Sequence, residues 1–155
     1  MIIRIWDYNN MTNPLYENNR FTHLLPKDIE LWKLFLASPA NIYDYFDYDV
    51  RVGDGRDPGS EFPEDIRSLA VKLSQRRIDA VGHHQTHLAI IEITPSAGLK
   101  ALGQLSAYPL LYQLKFRPAI PLKPILVTSN METDVHGAFV RAGIPTLIYK
   151  LPDNP

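Results

Sequence analysis

The chain has 155 residues, 45% of them hydrophobic and 21% charged, ordinary proportions for a single domain that buries a core. Its 16 basic and 17 acidic residues leave a net charge of −1, which excludes a whole-molecule attraction to nucleic acid and leaves only a local patch for such binding. The absence of cysteine removes disulfides, zinc–thiolate centres and thiol nucleophiles together, and the lack of any run of about 18 apolar residues argues against a membrane span.

The opening MIIRIWDYNN lacks the charged-then-apolar build of a secretion signal, so a cytoplasmic or virion-associated location is expected. Residues 2–6, IIRIW, read as an edge strand or docking arm, and 7–19, rich in Asn, Tyr and Pro, as irregular chain. Residues 1–25 are thus expected to form an N-terminal arm on a single domain, 1–155. Pro26 suits a first helical position, and KDIELWKLFLAS after it carries a broad apolar face of Ile29, Trp32, Leu34 or Phe35, and Leu36. Pro39 ends that helix. Over residues 42–52 apolar and aromatic residues alternate with Asp, and from Phe46 to Val52 the even positions are apolar. This is the period of a half-buried strand.

GDGRDPGSEF is a loop. Pro63 then opens a second helix, EDIRSLAVKLSQ, with acids in its first turn and an expected buried stripe of Ile66, Leu69, Ala70 and Leu73. Two strands follow, about 76–83 and 87–94, close enough for a hairpin. Pro95-Ser96 is expected to stop the second, with Ser96 as N-cap of a helix over 97–114 that kinks or ends near Tyr108 because of Pro109. FRPAIPLKP reads as a connector, 125–129 as a buried strand and 132–142 as a helix. Gly143 sits where a left-handed cap belongs, and TLIYKL is a last strand. A hairpin followed by crossover helices predicts an α/β fold, a mixed central β-sheet flanked by helices.

The chemistry concentrates in residues 77–108. In HLAIIEIT, Leu88, Ile90, Glu92 and Thr94 share one face of the strand. A carboxylate late in so apolar a strand is costly to bury unless it is paired or binds a cation. Asp79, in RIDAV on the neighbouring strand, poses the same question, and the hairpin brings the two acids close. Close carboxylates repel unless a proton or cation intervenes, and such oxygen ligands suit Mg²⁺ or Mn²⁺. The bland alternative is ion pairing of these acids with Arg76, Arg77 or Lys100. On the following helix Lys100, Gln104 and Tyr108, at i, i+4 and i+8, form one polar stripe.

RIDAV, IIEIT and QLSAY, in that order, resemble the core of the PD-(D/E)XK nuclease superfamily, and in particular its RecB-like exonuclease branch. The resemblance covers about residues 64–130 in element order, with its motifs in 77–108. It implies a restriction-endonuclease-like fold and hydrolysis of DNA phosphodiesters, with Asp79 and Glu92 as Mg²⁺ or Mn²⁺ ligands. It also implies the main-chain carbonyl of Ile93 as a further ligand and Gln104 and Tyr108 near the substrate. The family lysine is replaced by Thr94, which cannot supply its positive charge. Lys100 is then the relocated lysine, as occurs within the superfamily. The alternative expectation is a catalytically silent nuclease-fold module that binds DNA or protein, or self-assembles, for example in a phage particle.

Three further groups carry weaker signals. His83, His84 and His87 are expected as surface turn histidines rather than a zinc motif. The acidic strand from Tyr43 to Asp49 reads as a solvated face. Arg51, Arg56, Lys72, Arg76, Arg77 and Lys115 are candidates for a phosphate patch, with scattered surface charge the favoured reading at this net charge.

Overall fold

A computed structural model of the chain describes Phe21 and residues 23–151. The strand or arm expected at 2–6 and most of the 1–25 arm lie outside the described residues. The elements in order are α1 (Pro26–Ala37), β1 (Tyr45–Val52), α2 (Glu64–Ser74), β2 (Arg76–His83), β3 (Leu88–Ala97), α3 (Leu99–Phe116), β4 (Leu122–Met131), α4 (Thr133–Arg141) and β5 (Thr146–Ile148). The strands form a five-stranded sheet in sequence order. The β1–β2 and β2–β3 ladders are antiparallel. The β3–β4 and β4–β5 ladders, each closed by a crossover helix, are parallel. The expected mixed sheet flanked by helices is what the chain adopts, and among the described residues no helix is long and apolar enough to cross a membrane.

One face of the sheet packs on α1. Leu31, Trp32 and Phe35 cluster with Ala80, Ala89, Ile91, Ile93, Ile125 and Val127. The other face packs on α3, where Tyr108 and Tyr112 meet Val52, Ile78, Val81, Leu88 and Ile90. Further along, Ala101 and Leu105 of α3 join Leu126 and the α4 residues Val135 and Phe139. Along β3 the alternation is strict. Ala89, Ile91 and Ile93 face α1, and Leu88 and Ile90 face α3, so Glu92 belongs to the α3 side as its parity requires.

On β1 and β2 the alternation breaks at one level. Phe46 and Tyr48 pack toward α1, whereas Val50 and Val52 pack toward α3, so the even positions of β1 do not share a face as its sequence pattern predicts. Asp49 lies between them at φ 53°, a left-handed conformation that turns the strand over. On β2, Ile78 faces α3 and Ala80 faces α1, and the residue between them is Asp79. β1 and β2 therefore reverse faces side by side.

Several expected boundaries move. β1 begins at Tyr45 rather than at 42. β3 does not stop at Pro95-Ser96 but runs to Ala97, because β4 stays paired with it through Ser96↔Asn130 and Ala97↔Met131. Gly98, not Ser96, is the N-cap of α3, and α3 continues past Pro109 to Phe116. Its tertiary contacts on both sides of the proline outweigh the lost hydrogen bond. β4 is longer and β5 shorter than predicted, and Gly143 takes the expected left-handed conformation, φ 66°.

The largest correction concerns α2, which has no buried residue. Ile66, Leu69 and Leu73, expected in the core, are 45%, 52% and 65% exposed. The helix is tethered by polar bonds: Arg51 Nη1 donates to the Lys72 carbonyl at 2.6 Å, the Arg56 amide to Ser74 Oγ at 2.6 Å, and Gln75 Nε2 to the Gly53 carbonyl at 2.8 Å. Its amphipathic pattern is real, but this sheet offers that stripe no apolar partner.

Candidate functional site

The site lies where β2 and β3 part. Their ladder runs from His83↔Leu88 to Ala80↔Ile91 and goes no further. Beyond it β2 continues alongside β1, and β3 alongside β4. Asp79 and Glu92 are the next residues in the β2–β3 register, so they stand opposite each other at the mouth of the fork. Asp79 Oδ2 accepts the Ile93 amide at 2.8 Å, a side chain completing what the ladder leaves open. The Asp79 main-chain carbonyl bonds His23 Nε2 at 3.0 Å.

Glu92 is 7% exposed, and its Oε2 is a buried oxygen with no hydrogen-bond partner among the described residues. Burial pushes the Glu92 carboxyl well up, and the neighbouring Asp79 charge pushes it further, against the opposing Lys100 charge and a hydrogen bond from Gln104. Asp79 is also raised, first by burial, while its bond from Ile93 opposes the shift. Both acids are thus held toward their neutral forms, the response of neighbouring carboxylates taken out of water without a direct ion pair. The expected alternative of ion pairing is not met: Arg77 pairs with Asp49, and among the described residues neither Asp79 nor Glu92 forms a salt bridge.

Of the α3 residues, Gln104 and Tyr108 are joined and Lys100 is exposed. Gln104 donates from Nε2 to the Tyr108 hydroxyl at 3.0 Å, and its side chain opposes the upward shift of Glu92. The Tyr108 hydroxyl is raised by burial. Gln104 and Tyr108 are thus joined on the α3 side of β3, the side to which Glu92 belongs. Lys100, in the first turn of α3, is exposed. Its charge lowers the pKa of both acids, yet it pairs with neither. Thr94 is half-buried, and its hydroxyl donates to the Ser96 carbonyl at 3.2 Å.

Two contributors were not singled out from the sequence. Asp28 is the third residue of α1, and its Oδ2 accepts the Leu25 amide at 3.0 Å. Its charge also raises both Asp79 and Glu92, so α1 begins beside the fork. In the sequence it reads only as an acid favoured at a helix N-terminus. His23 has no local motif at all, and only the fold brings it to Asp79.

The other candidates separate from this site. His83 stacks on Tyr45 with ring centroids 4.1 Å apart and bonds Asp47 at 2.8 Å. Thr86 Oγ1 bridges His84 and His87 at 3.0 and 3.1 Å. His87 is buried, only 5% exposed, rather than a surface residue, because its ring tucks against Tyr43 with centroids 5.8 Å apart. Of the basic residues, Arg51 is spent on α2, Lys115 Nζ on the Arg51 carbonyl at 2.6 Å and Arg77 on Asp49. Among the described residues no group of three or more His, Asp or Glu side chains gathers as a metal cage.

Comparison with protein-family models, with curated proteins and with solved structures returns no match.

Proposed function

We propose that this chain is a metal-dependent nuclease of PD-(D/E)XK type with a restriction-endonuclease-like fold, hydrolysing DNA phosphodiesters at the β2–β3 fork. The observation that carries the reading is the orphaned Glu92 Oε2 opposite a second, half-buried carboxylate. Two facing acids, one buried and one half-buried, with no salt bridge on either among the described residues, are oxygen donors whose desolvation a hard divalent cation would repay. The residues fit such an ion: Asp79 and Glu92 offer carboxylates, the Ile93 carbonyl is adjacent in sequence, and Mg²⁺ accepts water at its remaining positions. Bound there, Mg²⁺ or Mn²⁺ would supply Lewis-acid polarisation of the phosphodiester. Lys100 holds positive charge at the edge of the fork for the phosphate, and Gln104 and Tyr108, bonded to each other, serve the substrate on the Glu92 side.

The test is Mn²⁺ binding together with cleavage of single- and double-stranded DNA in Mg²⁺ or Mn²⁺, for the wild type and Asp79→Ala. Cleavage is expected for the wild type and its loss for the variant. Equal activity in the two would sink the assignment.

Thr94 supports a second reading, a catalytically silent nuclease-fold module that binds DNA or protein or assembles with copies of itself. Its hydroxyl is occupied by the Ser96 carbonyl, and Lys100 touches neither acid. This reading expects no cleavage with any metal. Cleavage that disappears in Lys100→Ala would argue against it.

A further inference from the structure

We infer that His23 is a positioning residue for the Asp79–Glu92 site, holding the β2 side of the fork through the Asp79 main chain; the inference rests on the metal-site reading above. Asp79 stands at the one level where both neighbouring ladders are disturbed. The β3 ladder has ended one residue earlier, and the β1 residue across from Asp79 in register, Asp49, is left-handed and not itself paired with it. Regular pairing therefore does not set the conformation of Asp79 from either side. Its side chain is held by the Ile93 amide, and its main chain by His23.

The His23 bond also determines the ring's chemistry. A carbonyl only accepts, so Nε2 must carry the hydrogen and donate it. The ring is seated in turn by an aromatic series. It lies 6.2 Å from Tyr48 between centroids, Phe21 meets the same Tyr48 edge-on at 5.2 Å, and Trp32 Nε1 donates to the Tyr48 hydroxyl at 3.1 Å. The core of α1 thus reaches the candidate ligand Asp79 through Trp32, Tyr48 and His23. Groups that orient a ligand in this way typically change metal affinity 10- to 100-fold when removed, and a displacement of about 1 Å in a reacting group is enough to cost activity.

Mn²⁺ titration monitored by electron paramagnetic resonance, on the full chain, tests this with two variants. His23→Phe keeps a ring against Tyr48 and removes the donor. His23→Gln keeps an N–H donor. His23→Phe is expected to bind Mn²⁺ roughly 10- to 100-fold more weakly than wild type, with His23→Gln recovering part of the loss and both retaining the wild-type circular dichroism spectrum. Wild-type affinity in His23→Phe would overturn the role of His23 while leaving the metal site standing. Equal loss in both variants would also overturn it, since the donor would then not be what matters. A wild-type protein that binds no Mn²⁺ would overturn the metal reading and this inference with it.

Discussion

Asp79 and Glu92 face each other one step past the last paired residues of β2 and β3, Glu92 buried and Asp79 half-buried, with the Ile93 amide on Asp79 and, among the described residues, nothing on Glu92 Oε2. A carboxylate in that position opposes folding, since no salt bridge among the described residues repays the desolvation of Glu92. Glu92→Gln keeps the shape and removes the charge. It is expected to stabilise the metal-free protein at pH 8 by about 1–3 kcal/mol, read as a rise in the urea midpoint with an unchanged slope. A destabilised variant would mean that Glu92 has a counter-charge in solution.

The same burial makes the effect depend on pH. The folded-state pKa of Glu92 is raised, so the folded protein holds its proton at pH values where the unfolded chain has released it. Stability from this group is fully present below the ordinary carboxylate pKa of about 4.3 and is lost as pH rises through the raised folded value. Asp79 acts in the same direction. His23 and His87, both lowered by burial, act oppositely as pH falls through the histidine range. The clean measurement is therefore the difference between wild type and Glu92→Gln. It should be near zero at about pH 4 and grow through neutral pH, whereas a constant difference would contradict the raised pKa.

Divalent cations should reverse the sign. At 100 times its Kd, a ligand that binds only the folded state stabilises it by about 2.7 kcal/mol, so Mn²⁺ is expected to raise the wild-type Tm and leave Asp79→Ala unmoved. The shift should increase with pH, because the acids must be deprotonated to bind. An equal shift in Asp79→Ala would place any metal elsewhere.

Lys100 separates the two readings of function. It is exposed and makes no ion pair among the described residues, so Lys100→Met should alter stability by no more than about 0.5 kcal/mol. If Lys100 stands in for the lysine missing at Thr94, DNA cleavage should fall by about 10²-fold or more. Unchanged cleavage would remove Lys100 from the site.

The exposed stripe of α2 leads to a contrast in stability. Leu69→Gln and Leu73→Gln are expected to cost less than about 0.5 kcal/mol each, although the amphipathic pattern of the helix marks both as core residues. Trp32→Ala, which empties a fully buried position between α1 and the sheet, should cost about 3–5 kcal/mol. Chemical denaturation of the three variants checks this, and losses of several kcal/mol at Leu69 or Leu73 would show that α2 is covered in solution.

Periodicity and turn chemistry were enough to read the element order, the hairpin, the mixed sheet and the side of β3 on which Glu92 lies, because these depend on neighbours within a few residues. The same local logic paired Gln104 with Tyr108, four apart on a helix. It failed where distant chain decides. Pairing with β4 carried β3 through Pro95, and the apolar stripe of α2 stayed exposed, with no apolar partner among the described residues. Left-handed Asp49 reversed the faces of β1, a conformation that Asp tolerates better than most residues but that its presence alone does not announce. Asp79 and Glu92 as a facing pair of acids are therefore a property of the sequence. The lack of a salt bridge on either acid among the described residues, and the arrival of Asp28 and His23 near them, were decided only by tertiary structure, since burial and electrostatics depend on which distant groups the fold brings within reach.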